Sequence, residues 1–341
     1  MQAIKAFAEI LDAETGVDVL QKIELVGRTC YKSTENIKEG SAQKFVSNLI
    51  KHGHEAMLEH ASFCFEISYG IYKYMTEIIQ YMKENEQYNS FIRFSNDDRI
   101  LMSGNVRAWR DLFRCINRFM AIPNCFKDFI QENPVLFPEY QDKEFKEFYL
   151  GTIKPVHTGD LKTENEILTH LNVTVRFVVD RGISHEIVRH RLASFAQEST
   201  RYCNYGKDKF GGELTFIIPE NFRFGTPKWK VWKEQMMGAE KAYLLMIAYG
   251  VSPEMARTVL PNSLKTELIM TANCAEWKHF FNLRALNKTG KAHPQMVEVA
   301  LPLLHEFKDM IDVIFDDLEE RNDEVDQNSN KARWNTCSVR L

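Results

Sequence analysis

Hydrophobic and polar positions alternate with a period of two in "ASFCFEIS", where Phe63, Phe65 and Ile67 oppose Cys64, Glu66 and Ser68. The same alternation runs through "VTVRFVVD", with Val173, Val175, Phe177 and Val179 on one side. Successive strand side chains face opposite ways, so both segments predict half-buried strands. "GELTFIIPE" predicts a third, closed by Pro219. Elsewhere a three- and four-residue rhythm takes over. Thr226-Pro227, a cap followed by proline at the first helical position, opens a helix with an apolar face of Trp229, Trp232, Met236, Tyr243 and Ile247 that stops at Gly250. Ser252-Pro253-Glu254 opens another. Leu303, Phe307, Ile311, Ile314 and Leu318 form the stripe of a C-terminal helix, either facing a core or forming an oligomer seam. Strands and helices follow one another without regular βαβ alternation, which predicts an α+β fold.

One pattern occurs twice. "RILMSGNVRAWRDLF" (Arg99 to Phe113) and "ELIMTANCAEWKHFF" (Glu267 to Phe281) share Met, Asn, Trp and Phe at the same offsets, and each predicts a strand running into a helix through an Asn turn. Duplication of one unit and independent choice of similar turn residues both account for it. The rest of residues 71–170 reads as helical packing, as in "YKYMTEIIQYMKENE" and "CINRFMAIPNCFKDFI". Beyond about Asn322 the tail "NDEVDQNSNKARWNTCSVRL" is polar and predicted to be loose.

At 341 residues the chain can bury a large core, as one elaborated domain or two smaller ones. The net charge of −4 supplies no global field for nucleic acid, so anion binding must be local, built from arginines in a pocket. No apolar stretch approaches the roughly 20 residues of a membrane span, and the N-terminus lacks the pattern of a signal peptide. The expectation is a soluble protein of the cytoplasm with no membrane or nucleic-acid partner. The seven cysteines (30, 64, 115, 125, 203, 274, 337) form no C-x-x-C pair, which fits reduced thiols and no metal cluster. There is no G-x-G-x-x-G after a strand, no P-loop and no nucleophile elbow. "HEIVRH" imitates a zinc motif, yet His185 and His190 are five apart, roughly 140° around a helix.

The segment with the most chemistry is "RHRLASFAQESTRY". Ser184 is a candidate cap for a short helix through "SHEIVRHR", ending at Arg189, His190 and Arg191. Two residues apart on a helix diverge by roughly 200°, so Arg189 and Arg191 would address different groups. In an extended chain Ser199 and Arg201 would project the same way, and a hydroxyl beside a guanidinium fork suits a phosphate monoester. Taken alone, three basic residues beside Glu186 and Glu198 also fit a solvated basic turn.

The complete pattern, R-H-R, seven residues, S-x-R, resembles the signature of the flavin-dependent thymidylate synthases, matched without a gap by Arg189, His190, Arg191, Ser199 and Arg201. Other segments resemble that family in the same order: "LEHASFCFEIS" with His60, "EMARTVLP" with Arg257, "TANCAEWKHFFNLR" ending in Arg284, and "HPQMVEVA" with His293. The resemblance covers about Met1 to Gly70 and Leu171 to Ile314. It implies an antiparallel sheet flanked by helices in a single domain, 1–322, with a largely helical insertion at about 71–170 and a polar tail at 323–341. It further implies conversion of dUMP to dTMP, using methylenetetrahydrofolate as carbon donor, FAD as cofactor and NADPH as reductant, in a homotetramer with shared active sites.

By the same resemblance Ser199, Arg201 and Arg257 hold the nucleotide phosphate. Glu186, Arg189, Gln197 and Glu198 also contact dUMP. Arg189, His190, Arg191 and Gln197 reach FAD, together with His60, Ser62, Asn273, His279 and His293, and Cys30 falls near the cofactor. Arg284 takes the catalytic place beside N3 and O4 of the pyrimidine, stabilising charge as C5 becomes nucleophilic. No P-C-H segment is present, in keeping with a mechanism that needs no cysteine nucleophile. One departure stands out: relatives carry N-A-R where this chain has Asn273-Cys274-Ala275, and Arg107 of the upstream repeat is the candidate replacement. Alternatives are a different 5-modified pyrimidine as product and a catalytically silent nucleotide-binding homologue.

Overall fold

The computed structural model describes residues 1–11, 18–85, 91–146, 150–201, 205, 212–319 and 339–340. The chain opens with β1 (Gln2–Ile4) and β2 (Phe7–Ile10), then α1 (Val19–Cys30) and α2 (Ser41–Lys51). A 3-10 turn, Glu55–His60, leads into β3 (Ser62–Ile67) and α3 (Tyr69–Glu84). Next come β4 (Arg93–Asn96), β5 (Ile100–Asn105), α4 (Val106–Phe119), α5 (Lys127–Glu132), β6 (Ile153–Pro155) and α6 (Glu164–His170). The signature region is built by β7 (Asn172–Asp180), α7 (Arg181–Ile187) and β8 (Ser194–Gln197). After β9 (Thr215–Ile217) follow α8 (Pro227–Ala248), α9 (Pro253–Ala256), β10 (Lys265–Asn273) and α10 (Cys274–Arg284). The chain closes with α11 (Pro294–Met310), α12 (Asp312–Phe315) and β11 (Val339–Arg340).

The α+β class holds, with two four-stranded antiparallel sheets, β2-β7-β10-β8 and β6-β3-β5-β4. A third sheet, β11-β1-β9, has a parallel β1–β9 pair. Thr226 caps α8, accepting from the Trp229 amide, and Pro253 opens α9, as the sequence predicts. The C-terminal stripe faces a core rather than an oligomer seam: Leu303, Phe307, Ile314 and Leu318 are buried around Trp277 and Phe281. It belongs to two helices, because Ile311 leaves the helical conformation between α11 and α12.

Three expectations change. The strand "VTVRFVVD" is buried on both faces, because α10 and α11 cover one face of its sheet while α1 packs Val26 and Cys30 against Ala196 and Ile269 on the other. Its polar Thr174 survives burial by sharing a 2.8 Å hydrogen bond with Thr271. The region 71–170 carries more helix than strand, in α3, α4, α5 and α6, but it also contributes β4, β5 and β6, which build a sheet with β3. Arg93–Asn96 and Ile153–Pro155 are too short for their alternation to register, and Pro155 sits at a sheet edge where its missing N–H costs no ladder bond. The tail was expected to be loose, yet Val339–Arg340 pairs with β1; residues 323–338 and 341 lie outside the described residues.

Both repeats become strand-to-helix turns. Asn105 ends β5 and caps α4, accepting from the Ala108 amide at 2.8 Å. Asn273 ends β10 and caps α10, accepting from the Glu276 amide at 3.1 Å. An Asn side-chain oxygen satisfies one amide that a first helical turn leaves without a partner, which is why this residue recurs at both corners. Trp109 and Trp277 then plug the two largest cores, each fully buried. Replacing Trp277 by alanine is expected to cost about 3–5 kcal/mol of unfolding free energy, and Asn105→Ala or Asn273→Ala about 1 kcal/mol each, read from denaturant midpoints.

Candidate active site

The long β7–β10 pairing runs in register from Lys265 opposite Asp180 to Asn273 opposite Asn172. α7 leaves one end of it and α10 the other. The cap of α7 is Asp180, which accepts from the Ile183 amide, and not Ser184. A carboxylate at the strand end is placed to take that amide. Ser184 lies inside the helix, donates to the Arg181 carbonyl, and accepts from Gln197 at 2.8 Å.

The two helices meet on one face. Arg284, at the end of α10, donates to both the carboxylate and the backbone carbonyl of Glu186, each at 3.3 Å. The buried ring of His190 lies 5.4 Å from that of His279 and 5.7 Å from that of Phe280. Its Nε2 is 3.3 Å from Glu276 Oε2 but off the line of a hydrogen bond, so it counts as buried and without one. Arg189 and Arg191 flank it, both exposed and without an ion pair among the described residues. Leu192, next in the chain, takes a left-handed φ of 62°, which turns the backbone from α7 into β8.

Beyond β8 the chain is not extended, against the expectation for Ser199 and Arg201. Glu198 donates its amide to the Glu267 carbonyl, Ser199 donates its amide to the Cys30 carbonyl at 3.1 Å, and Ser199 Oγ accepts the Arg201 amide at 3.3 Å. These bonds make a turn. Arg201 pairs with Glu254 at 3.1 Å, and Arg257 donates to Thr200 at 3.4 Å, so the arginines expected at a phosphate gather beside this turn. Tyr202 and Cys203 lie outside the described residues.

Glu198 differs from its expected role as a nucleotide contact. It is 2 % exposed and held by Lys265 and Lys32, each at 3.1 Å, and by the Tyr205 hydroxyl at 2.6 Å. Burial favours its neutral form, but the two ammonium groups and the Tyr205 hydroxyl outweigh it and hold the carboxyl below its usual range. Lys265 is correspondingly raised: burial opposes its charge, and Glu198 and Glu267 overcome that. Sequence reasoning missed Lys32, Lys265 and Tyr205. The one signal was the carboxylate itself, directly after β8 and beside Ser199, which demands a cation once it is buried.

The residues expected near the cofactor divide. His279 joins His190, and Asn273 caps the helix that carries both it and Arg284. Cys30 reaches the site through its backbone carbonyl. His60 and Ser62 stand at the start of β3, Ser62 opposite Asn105. His60 is fully buried, its Nδ1 bonded to Thr271 at 2.8 Å. His293 is brought instead to the start of α11, where it caps Gln295, whose side chain reaches Asp180 at 2.8 Å. Arg107 binds Glu59 at 2.7 Å, and Glu59 in turn accepts from Ser194 at 3.0 Å, three residues after Arg191. His170 was also missed, although it stands two residues before β7 as His60 stands two before β3. Among the described residues no group of three or more His, Cys, Asp or Glu could hold a metal ion, and no helix is long and apolar enough to cross a membrane.

The α+β scaffold thus presents a turn of exposed arginines beside a buried histidine at the junction of two helices. The family model for thymidylate synthase complementing proteins matches residues 14–73 and 141–311, and the chain belongs to that family. Flavin-dependent thymidylate synthases from Pyrococcus furiosus (36 % identity over 43 % of this chain and 59 % of theirs) and Geobacter sulfurreducens (32 %, 44 % and 62 %) are similar to it. The chain thus spans about six tenths of the length of these curated relatives. A solved structure of a UMP/dUMP methylase, PolB from Streptomyces cacaoi bound with 5-Br dUMP, overlays with a TM-score of 0.40 at 14 % identity, covering 93 % of this chain and 96 % of that one.

Burial lowers His60 to about 3 and His170 to about 4 from the ordinary 6.5. A histidine kept neutral in the fold binds its proton first in the unfolded chain, so its stabilising contribution is complete above pH 6.5 and declines as pH falls toward those values. Denaturant unfolding is expected to lose stability on the order of 1 kcal/mol per pH unit for each histidine in that window, and His170→Gln is expected to flatten the slope.

Proposed function

We propose that this chain methylates dUMP to dTMP with methylenetetrahydrofolate as carbon donor, FAD as cofactor and NADPH as reductant, acting in the cytoplasm. The observation that carries the reading is the meeting of α7 and α10, which joins Glu186 to Arg284 and sets His190 between the exposed Arg189 and Arg191 beside His279, with the Ser199–Arg201 turn following directly from β8. Membership of the family supports it.

The residues present fit a dinucleotide and a nucleotide monophosphate. Arg189 and Arg191 are exposed cations suited to the diphosphate of FAD, and His190, carrying a buried Nε2 without a hydrogen bond, faces the same helix end with His279. Bound there, FAD supplies the hydride that completes the methyl group. The turn at Ser199, with Arg201 and Arg257, holds the nucleotide phosphate. Arg201 exchanges its exposed pairing with Glu254 for that phosphate, a trade between partners of like charge. Glu198 acts indirectly: locked by Lys32 and Lys265, it fixes the turn. Gln197, tied to Ser184 and Thr266, sets the base end of the site.

Arg284 is the catalytic residue of this reading. Held by Glu186, its guanidinium stabilises the negative charge that develops on the pyrimidine as C5 becomes nucleophilic. Glu186 orients it and releases one donor to the base. The assembly is a homotetramer in which neighbouring subunits cover the open face; exposed apolar side chains on and around α8, such as Phe224, Val231 and Tyr249, support association.

Tritium release from dUMP labelled at C5, in the presence of methylenetetrahydrofolate and NADPH, tests the reading. The purified protein is expected to be yellow and to bleach on NADPH addition. Arg284→Ala is expected to slow release by about a hundredfold with an unchanged melting temperature. A colourless protein that releases no tritium from dUMP would refute it.

A further inference from the structure

The two four-stranded sheets are built to one plan. Ser62 opposes Asn105 in the first as Asn172 opposes Asn273 in the second. The Val106 amide donates to the Ala61 carbonyl at 2.9 Å, and the Cys274 amide to the Leu171 carbonyl at 3.0 Å. Fourth strands follow suit: Arg93 opposes Ser103 as Ser194 opposes Thr271. The histidine before each central strand crosses to the other sheet, His60 to Thr271 at 2.8 Å and His170 to Ser103 at 2.7 Å. Thr271 and Ser103 are equivalent positions of the repeat, so the contacts are reciprocal and relate the two sheets by an approximate two-fold axis.

One contact breaks the symmetry. Glu59, just before His60, accepts from Ser194 Oγ at 3.0 Å through one carboxylate oxygen and from Arg107 at 2.7 Å through the other. The second sheet has Thr169 and Ala275 at the corresponding positions, which cannot reproduce this ion pair. Ser194 is 2 % exposed and begins β8 directly after the turn Arg191-Leu192-Ala193. Leu192 holds a left-handed φ of 62° there, a conformation that a leucine adopts only when its surroundings impose it.

We propose that Glu59 is a positioning residue for the Arg189–Leu192 turn: paired with Arg107, it anchors Ser194 and so holds the exposed arginines in their binding arrangement. The inserted region thereby acts on the site from the far side of the two-fold axis. Arg107 aims the Glu59 side chain, and Ser194 transmits the restraint to the backbone. The consequence for flavin affinity rests on the function proposed above; the restraint on the turn does not.

Trypsin reads the turn directly, because Arg189 and Arg191 are exposed cleavage points. Under native conditions, without ligand, Glu59→Ala is expected to be cut after Arg191 about tenfold faster than the unaltered chain, as loss of charge-assisted hydrogen bonds at a buried anchor implies. Glu59→Gln, left with one acceptor oxygen, is expected to fall between them. Ser194→Ala, which removes only the hydroxyl, is expected to match Glu59→Ala and decides the matter if that variant melts early. Flavin dissociation constants measured by fluorescence are expected to rise in the same order. Equal cleavage rates for Ser194→Ala and the unaltered chain would overturn the proposal. Failure of the unaltered chain to bind flavin would remove the proposed function while leaving the cleavage result to stand on its own.

Discussion

The pairing of β7 with β10 is the constraint on which everything else is built. Each strand ends in a helix-capping side chain, Asp180 and Asn273, at opposite ends of the ladder, so the helices that leave them meet across the sheet. A slip of one residue would exchange the two faces of both strands. Val175 and Leu268 would leave the core, and Glu186 would no longer meet Arg284. Burial of both faces forbids that slip, which is how apolar packing far from any ligand comes to specify the placement of a guanidinium.

Electrostatics then divides the charged residues into two kinds. Buried ones are matched: Glu198 by two lysines, Glu166 by Arg99 at 2.9 Å, and Arg110 by Glu55 and Glu139. Hydrogen bonding to Arg99 keeps the Glu166 carboxyl down at about 2. Desolvated charges left single would cost several kcal/mol, so these pairs hold loops rather than bind ligands. Arg189, Arg191 and Arg201 instead remain at the surface, where an arriving anion can claim them. A mildly acidic protein thus keeps a local basic face.

Much of this was legible in the sequence. Asn105 and Asn273, Thr226-Pro227 and Ser252-Pro253 are short-range signals whose physics lies within one helical turn, and each appears where it was expected. Within the ordered match from Arg189 to Arg284, the fold brings Arg284 to Glu186 and His279 to His190. What escaped was non-local. Strands such as Arg93–Asn96 are too short to display a period, and only their pairing with β5 makes them strands. Ser184 looked like a cap because a competing carboxylate, Asp180, precedes it by four residues. The inward turn of Glu198 depends on Lys32 and Lys265, which the fold alone brings near.

The reciprocal histidines bind the two sheets to each other. Each is closed off inside one sheet while its hydrogen-bond partner belongs to the other, so neither half can satisfy its own interior. A mutation at Ser103 is felt at His170, and one at Thr271 at His60. Parting the two sheets would strip both imidazoles of their hydroxyl partners at once, so the interface between them opens as a whole or not at all.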